Sequence, residues 1–271
     1  MQGEPRASRE TGQEFLLLCE KCNNPAVLPS GDELHEVFPA IVPGTVYSTD
    51  AERQWEKRRW EEFIHDESFP KREVLTREFI QAFGDYLGER MQKIAQEKAG
   101  AVSILELGAG DGRLHYFLQK YLEDTLGSVP NFHAVDTKQW EKDPRYKQVA
   151  RSFFPVEEKD NRTALEEFQP DIVVVSWMPP WTDFTKEIRQ YSSVQEYILI
   201  GHAYDNVCGL AWETYGQDSW ERHEGEMPLF QKEGFSLVEL PEISKNQIYH
   251  LSNDSFMSVA HPSQTISFRR D

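Results

Sequence analysis

The stretch Ile104-Leu105-Glu106-Leu107-Gly108-Ala109-Gly110-Asp111-Gly112 constrains this chain's fold more than any other. It reads as a buried strand carrying an acid and running straight into a loop with glycine at alternate positions. Leu114, Phe117, Leu118, Tyr121 and Leu122 then recur at helical spacing, so a helix follows. Glycine lets such a corner take tight or positive-φ geometry and lets a ligand press against bare backbone. A strand–loop–helix corner of this kind suits a nucleotide-like ligand at the carboxyl end of a sheet strand.

The order of residues discriminates among such ligands. A dinucleotide fingerprint needs a third glycine where the helix packs on the strand, and that position holds Arg113. A phosphate-cradling P-loop fails as well, because no Gly-Lys-Ser/Thr follows. The pattern is Glu-x-Gly-x-Gly-x-Gly, with Glu106 two residues before the first glycine. An acid there sits poorly beside a pyrophosphate, whereas it suits the positive sulfonium and amino groups of S-adenosylmethionine. The stretch resembles the first motif of the class I S-adenosylmethionine-dependent methyltransferases.

Composition narrows the class further. The chain has 271 residues, 39% of them hydrophobic, enough for one large domain with an extension. Its net charge of −17 disfavours nucleic acid, whose phosphates are bound by clustered Lys and Arg. The densest basic cluster, Lys57-Arg58-Arg59, lies among Glu56, Glu61 and Glu62 and reads as a solvated helix face. No run reaches the length of a membrane span, and Leu16-Leu17-Leu18 is too short for a secretory signal, so a cytoplasmic protein is expected. Cys19 and Cys22 form a single Cys-x-x-Cys; a structural zinc site needs four ligands, so no metal is expected.

Three regions are expected. Residues 1–13 are a polar, disordered tail. Residues 14–99 hold an irregular, proline-punctuated segment and two helices. The first follows the capping box Thr49-Asp50-Ala51-Glu52, with Trp55, Trp60, Phe63 and Ile64 fitting its helical spacing; the second runs from about Glu73 to Glu97. Residues 100–271 carry apolar strands separated by helical text: Val102–Leu107, Phe132–Asp136, Ala150–Val156, Asp171–Ser176, Tyr197–Ile200, Phe235–Leu240 and Thr265–Phe268. This pattern predicts an α/β three-layer sandwich around a central, mostly parallel, seven-stranded sheet, with an N-terminal helical cap. The resemblance implies that the last strand enters antiparallel.

The resemblance also implies a site. Glu106, Gly108, Ala109, Gly110 and Gly112 would hold the methionine end of the cofactor. Asp136, closing the second strand, would accept hydrogen bonds from the ribose diol, each charged hydrogen bond contributing about 1.5–3 kcal/mol. Asp160 is the candidate adenine contact, with Glu158 close by in the same acidic stretch. The fourth strand ends Ser176-Trp177-Met178-Pro179-Pro180-Trp181, where amino-group methyltransferases often carry Asn/Asp/Ser-Pro-Pro-aromatic. Methionine replaces the polar residue and takes no strong hydrogen bond. Ser176 and Trp177 are candidates for catalysis, Ser176 also for cofactor contact, and Trp177 and Trp181 could hold a ring or cation. His202, just past the fifth strand, titrates near neutrality and is the leading base. Tyr204 and Tyr47 complete the expected acceptor pocket.

The expected activity is methylation of a small-molecule amine, hydroxyl or thiol. Methylation of a protein side chain or terminus, and a non-catalytic scaffold of the same fold, are the alternatives. Neither acceptor nor oligomeric state can be read from the sequence.

Overall fold

The chain's structure is a computed structural model that describes residues 27–38, 46–64, 71–128, 130–139, 154–203, 207–217, 223–248 and 263–271, together with single positions between 13 and 21. Among the described residues seven strands make one sheet: β1 Ser103–Leu107, β2 Asn131–Asp136, β3 Glu157–Glu158, β4 Ile172–Ser176, β5 Glu196–Gly201, β6 Phe235–Glu239 and β7 Gln264–Arg270. Their order is β3-β2-β1-β4-β5-β7-β6. The first five run parallel, and β7 lies antiparallel between β5 and β6. The sandwich is Rossmann-like, and the expected antiparallel entry of the last strand is observed.

The central strands are buried on both faces, so their sequences are continuous apolar runs rather than alternations. Ile104, Ile172, Val174, Ile198 and Ile200 share one core with Phe79, Phe83, Leu87, Leu118 and Leu122. The intervening Leu105, Leu107, Val173, Val175 and Leu199 enter a second core on the opposite face with Ala164, Leu165 and Ile188. The helices of the first face are the long Arg77–Lys98 and Arg113–Leu126; Asn161–Phe168 and Thr185–Arg189 cover the other. Strand order reverses between β1 and β4, and a ligand crevice forms at the carboxyl end of the sheet at such a point.

Two sequence expectations need correction. The third strand is Glu157–Glu158, two exposed residues, and of the expected Ala150–Val156 the described residues 154–156 carry no strand. Pro155 has no N–H for a ladder, and residues 150–153 lie outside the described residues. The long helix begins at Arg77, later than expected, because Thr76 caps it by accepting the Phe79 amide at 3.1 Å.

A separate apolar cluster forms from the N-terminal region: Leu34, Val37, Phe38, Trp60, Phe63, Ile64 and Val74 with Ile248. Its helices are α1 Gly31–Val37 and α2 Asp50–Ile64. The Thr49 hydroxyl accepts the Glu52 amide at 3.1 Å, while the Glu52 carboxylate reaches back to the Ser48 amide at 2.9 Å. Trp55 on α2 is 44% exposed, with the Arg59 guanidinium 4.6 Å above its ring. Among the described residues no helix is long and apolar enough to cross a membrane.

Candidate active site

The glycine loop leaves β1 at the carboxyl edge of the sheet. Gly108, Gly110 and Gly112 all have positive φ, at 68°, 57° and 79°. Their surroundings differ. A Cβ on Gly112 would stand 2.8 Å from Val156 Cγ2 and 3.2 Å from Phe154 Cβ, so this glycine serves the close approach of residues 154–156. A Cβ on Gly110 would meet nothing within 4 Å. Gly110 is therefore the position of this loop with open space beside it.

The loop's amides are largely engaged within the protein. Ala109 N–H donates to the Val135 carbonyl at 3.0 Å and Gly112 N–H to the Ala109 carbonyl at 2.9 Å. Gly110 N–H donates to Asp136 Oδ2 at 3.0 Å, and Arg113 N–H to Asp111 Oδ1 at 3.1 Å. A phosphate cradle needs such amides free. This loop presents carboxylates instead.

Those carboxylates converge. Glu106 is 1% exposed. Burial first, and then the charges of Asp111 and Asp136, push its carboxyl up to about 8, while the His115 amide at the start of the following helix opposes the shift. Its Oε2 is buried and has no hydrogen-bond partner. An orphaned buried carboxylate oxygen costs the desolvation of that group, at least about 1–3 kcal/mol, and a bound cation or N–H donor would relieve it. Asp136 closes β2, 9% exposed, with Oδ1 accepting the Lys138 amide at 2.6 Å. Both its oxygens keep lone pairs for a further donor. The donor set therefore suits a ligand that is positive and hydroxyl-bearing.

Ser176 ends β4, half-buried and paired with Ile200. Because Leu107 pairs with Val175, the glycine loop and Ser176 leave neighbouring strands at the same level. Trp177 follows with φ 53°, its amide on the Ile200 carbonyl at 2.8 Å and its indole N–H on Glu73 Oε2 at 2.8 Å. The rings of Trp177 and His202 are 5.1 Å apart, and His202 is 5% exposed. The Gly108–Asp136 corner, Ser176, Trp177 and His202 thus lie along one edge of the sheet.

Other predicted residues sit elsewhere or do other work. Met178 is buried in the core, and its sulfur accepts the Phe184 amide at 3.2 Å. Trp181, with φ 63°, is 73% exposed. Asp160 is an exposed helix N-cap: its oxygens accept the Thr163 amide at 3.0 Å and hydroxyl at 2.7 Å. Tyr47 lies by the start of α2, where burial, then the charges of Glu56 and Glu52, raise its phenol's affinity for the proton. Tyr204, Cys19 and Cys22 fall outside the described residues.

Sequence reasoning missed Glu73. It stands in Lys71-Arg72-Glu73, a charged triplet that reads as solvated, yet its Oε1 is sealed from solvent. Burial pushes its carboxyl up to about 7 against the hydrogen bonds it accepts from Ser263 and Trp177.

No family model and no curated protein matches the chain. Among solved structures, the carbon methyltransferase DszA aligns at 15% identity and TM-score 0.39, over 97% of this chain and 69% of that one. Three of the solved structures it resembles are methyltransferases. An S-adenosylmethionine-dependent O-methyltransferase from Thermotoga maritima aligns at 11% identity and TM-score 0.33, over 73% of this chain and 66% of that one. The magnesium protoporphyrin IX methyltransferase of Synechocystis, with bound S-adenosylmethionine, aligns at 12% identity and TM-score 0.31, over 95% and 97% of the two chains. The chain thus spans about two thirds of the length of the first two.

Proposed function

We propose that this chain is an S-adenosylmethionine-dependent methyltransferase acting on a small molecule that bears an amine, hydroxyl or thiol. The observation that carries the reading is the buried, partnerless Glu106 Oε2 beside Asp111 and Asp136, at the head of a loop whose Gly110 borders open space. When bound, the cofactor supplies a methyl group activated by a sulfonium.

The protein's part is to bind and orient. Glu106 offers a carboxylate to the cofactor's positive groups, and their approach favours its ionised form. Gly108, Ala109 and Gly110 form the floor, and Asp136 accepts from the ribose hydroxyls. Gly112 supports that floor by admitting residues 154–156 against it. Ser176, Trp177 and His202 flank the position where an acceptor would stand, with His202 as the candidate base. We assign residues 100–271 to the catalytic part and residues 14–99 to an N-terminal part. The long helix Arg77–Lys98 of that part covers one face of the sheet and the residues before it act as a cap, with Glu73 reaching from the N-terminal part to the catalytic one.

The test is the melting temperature of the purified protein with and without S-adenosylmethionine and S-adenosylhomocysteine. A ligand at about 100 times its dissociation constant stabilises by about 2.7 kcal/mol, a readable rise. A folded sample that shows no rise with either compound overturns the reading.

A further inference from the structure

Residues 71–76 lead into the long helix Arg77–Lys98 and cross the carboxyl edge of the sheet. At one end, Lys71 is close enough for its charge to act on Asp111 of the glycine loop. Two residues on, Glu73 meets Trp177 at the end of β4 and Ser263 at the start of β7. Val74 returns to the N-terminal cluster and Thr76 caps the helix. The segment is thus a strap over the crevice between β1 and β4.

The Glu73 carboxylate is asymmetrically used. Oε2 accepts the Trp177 indole N–H at 2.8 Å and the Ser263 hydroxyl at 2.6 Å. Gln247 lies near enough to favour the ionised form, but its amide donates to Ser263 Oγ at 2.8 Å, and its own oxygen accepts the Thr265 hydroxyl at 2.7 Å. That network fixes the carboxylate's position and leaves Oε1 buried with no partner. A purely structural carboxylate would have both oxygens satisfied, since each unmet buried acceptor is destabilising. The ring of His202 lies next to the same indole.

We infer that Glu73 is an acceptor-binding residue, whose Oε1 receives the hydrogen of a hydroxyl or amine acceptor held against Trp177. The assignment rests on the methyltransferase reading and sharpens its substrate class. A buried carboxylate oxygen gains most from a strong O–H or N–H donor, whereas a thiol S–H is a weak one. The cap therefore completes the acceptor site with a residue that the sheet does not supply. The raised proton affinity of this carboxyl, about 7, fits a group awaiting a donor.

The test follows the Trp177 indole N–H resonance, which reports on its hydrogen bond to Glu73. The probes are phenol and benzylamine at millimolar concentration, with toluene and thiophenol as controls, added with and without S-adenosylhomocysteine. Phenol or benzylamine is expected to move the resonance at concentrations at least fivefold below those at which either control does. Glu73→Gln, similar in size, is expected to abolish that preference while binding S-adenosylhomocysteine within twofold of the native protein by calorimetry. Ser263→Ala, which leaves Oε1 untouched, is expected to keep it. Silence of the resonance to both probes, or an equal response to the controls or in Glu73→Gln, overturns the assignment. Failure of the methyltransferase reading shows separately, as absent calorimetric binding of S-adenosylhomocysteine by the native protein.

Discussion

Trp177 takes a left-handed backbone, φ 53°, and from it donates its indole N–H to Glu73, 104 residues earlier in the chain, at 2.8 Å. A bulky residue in that region of conformational space costs of order 1–3 kcal/mol and persists only where its surroundings over-determine it. Here the amide bond to Ile200 and the indole bond to Glu73 do so from two sides. The contact ties the N-terminal strap to the end of β4. It makes the conformation of the strand end depend on residues 71–76.

Trp177→Phe keeps a ring and removes that donor. Glu73 Oε2 is then left chiefly to Ser263, and its carboxyl rises above about 7. A hydrogen bond to an ionised group contributes about 1.5–3 kcal/mol, and that contribution exists only while Glu73 is ionised. The melting temperature of Trp177→Phe should therefore fall further below the native protein's at pH 8 than at pH 5. An equal deficit at both values would mean that the indole bond has no share in Glu73's ionisation.

Glu106 sets a pH dependence of defined sign. Folding raises its carboxyl from the ordinary 4.5 to about 8. The folded protein holds this proton more tightly than the unfolded chain, so the associated stability is present below 4.5 and lost as pH rises through about 8. A tenfold difference in proton affinity is about 1.4 kcal/mol, which makes the loss a few kcal/mol. Glu106→Gln should be the more stable ligand-free protein at pH 8.5, and the difference should shrink toward pH 5. The same variant should bind S-adenosylmethionine at least tenfold more weakly. Thermal melts across pH and calorimetry check the two halves.

Asp136 and Asp160 separate affinity from stability. Asp136→Ala removes the proposed ribose acceptor and frees the Gly110 amide, so binding of S-adenosylhomocysteine should weaken at least tenfold. Asp160→Ala removes an N-cap worth about 0.5–2 kcal/mol. Its binding should stay within threefold, while the melting temperature falls by a few degrees. A loss of affinity in Asp160→Ala comparable to that in Asp136→Ala would return Asp160 to the cofactor site.

The sheet was legible in the sequence because β1, β4 and β5 are continuous apolar runs between turn signals, as strands covered on both faces must be. The glycine loop was legible because it is local: strand, acid and corner are consecutive, and Asp136 falls at the end of the next strong strand. What stayed illegible was non-local or chemically ambiguous. Glu73 lies 104 residues from Trp177 and 190 from Ser263, and nothing in its charged neighbourhood marks it as buried. Asp160 could not be told from a cap, since an acid before a helix serves either purpose. Met178 was judged against a ligand role, but its sulfur is occupied by the Phe184 amide inside the core.

Two glycines on one face of the helix Arg77–Lys98 give opposite expectations. A Cβ on Gly84 would stand 2.8 Å from Tyr121 Cε1 and closer still to Cδ1, and the ring is held by its hydroxyl on Asp85 Oδ1 at 2.7 Å. Four residues on, a Cβ on Gly88 would meet Leu122 Cδ2 at 3.8 Å, ordinary contact. In both places alanine gains about 1 kcal/mol of helix propensity. At Gly84 overpacking of about 1–3 kcal/mol outweighs that gain, because the ring moves only by giving up its bond to Asp85. Gly84→Ala should therefore melt several degrees below the native protein and Gly88→Ala at or above it. A rise in both would show that the contact between this helix and Arg113–Leu126 is loose enough to take a methyl group, and that Gly84 does not set their separation.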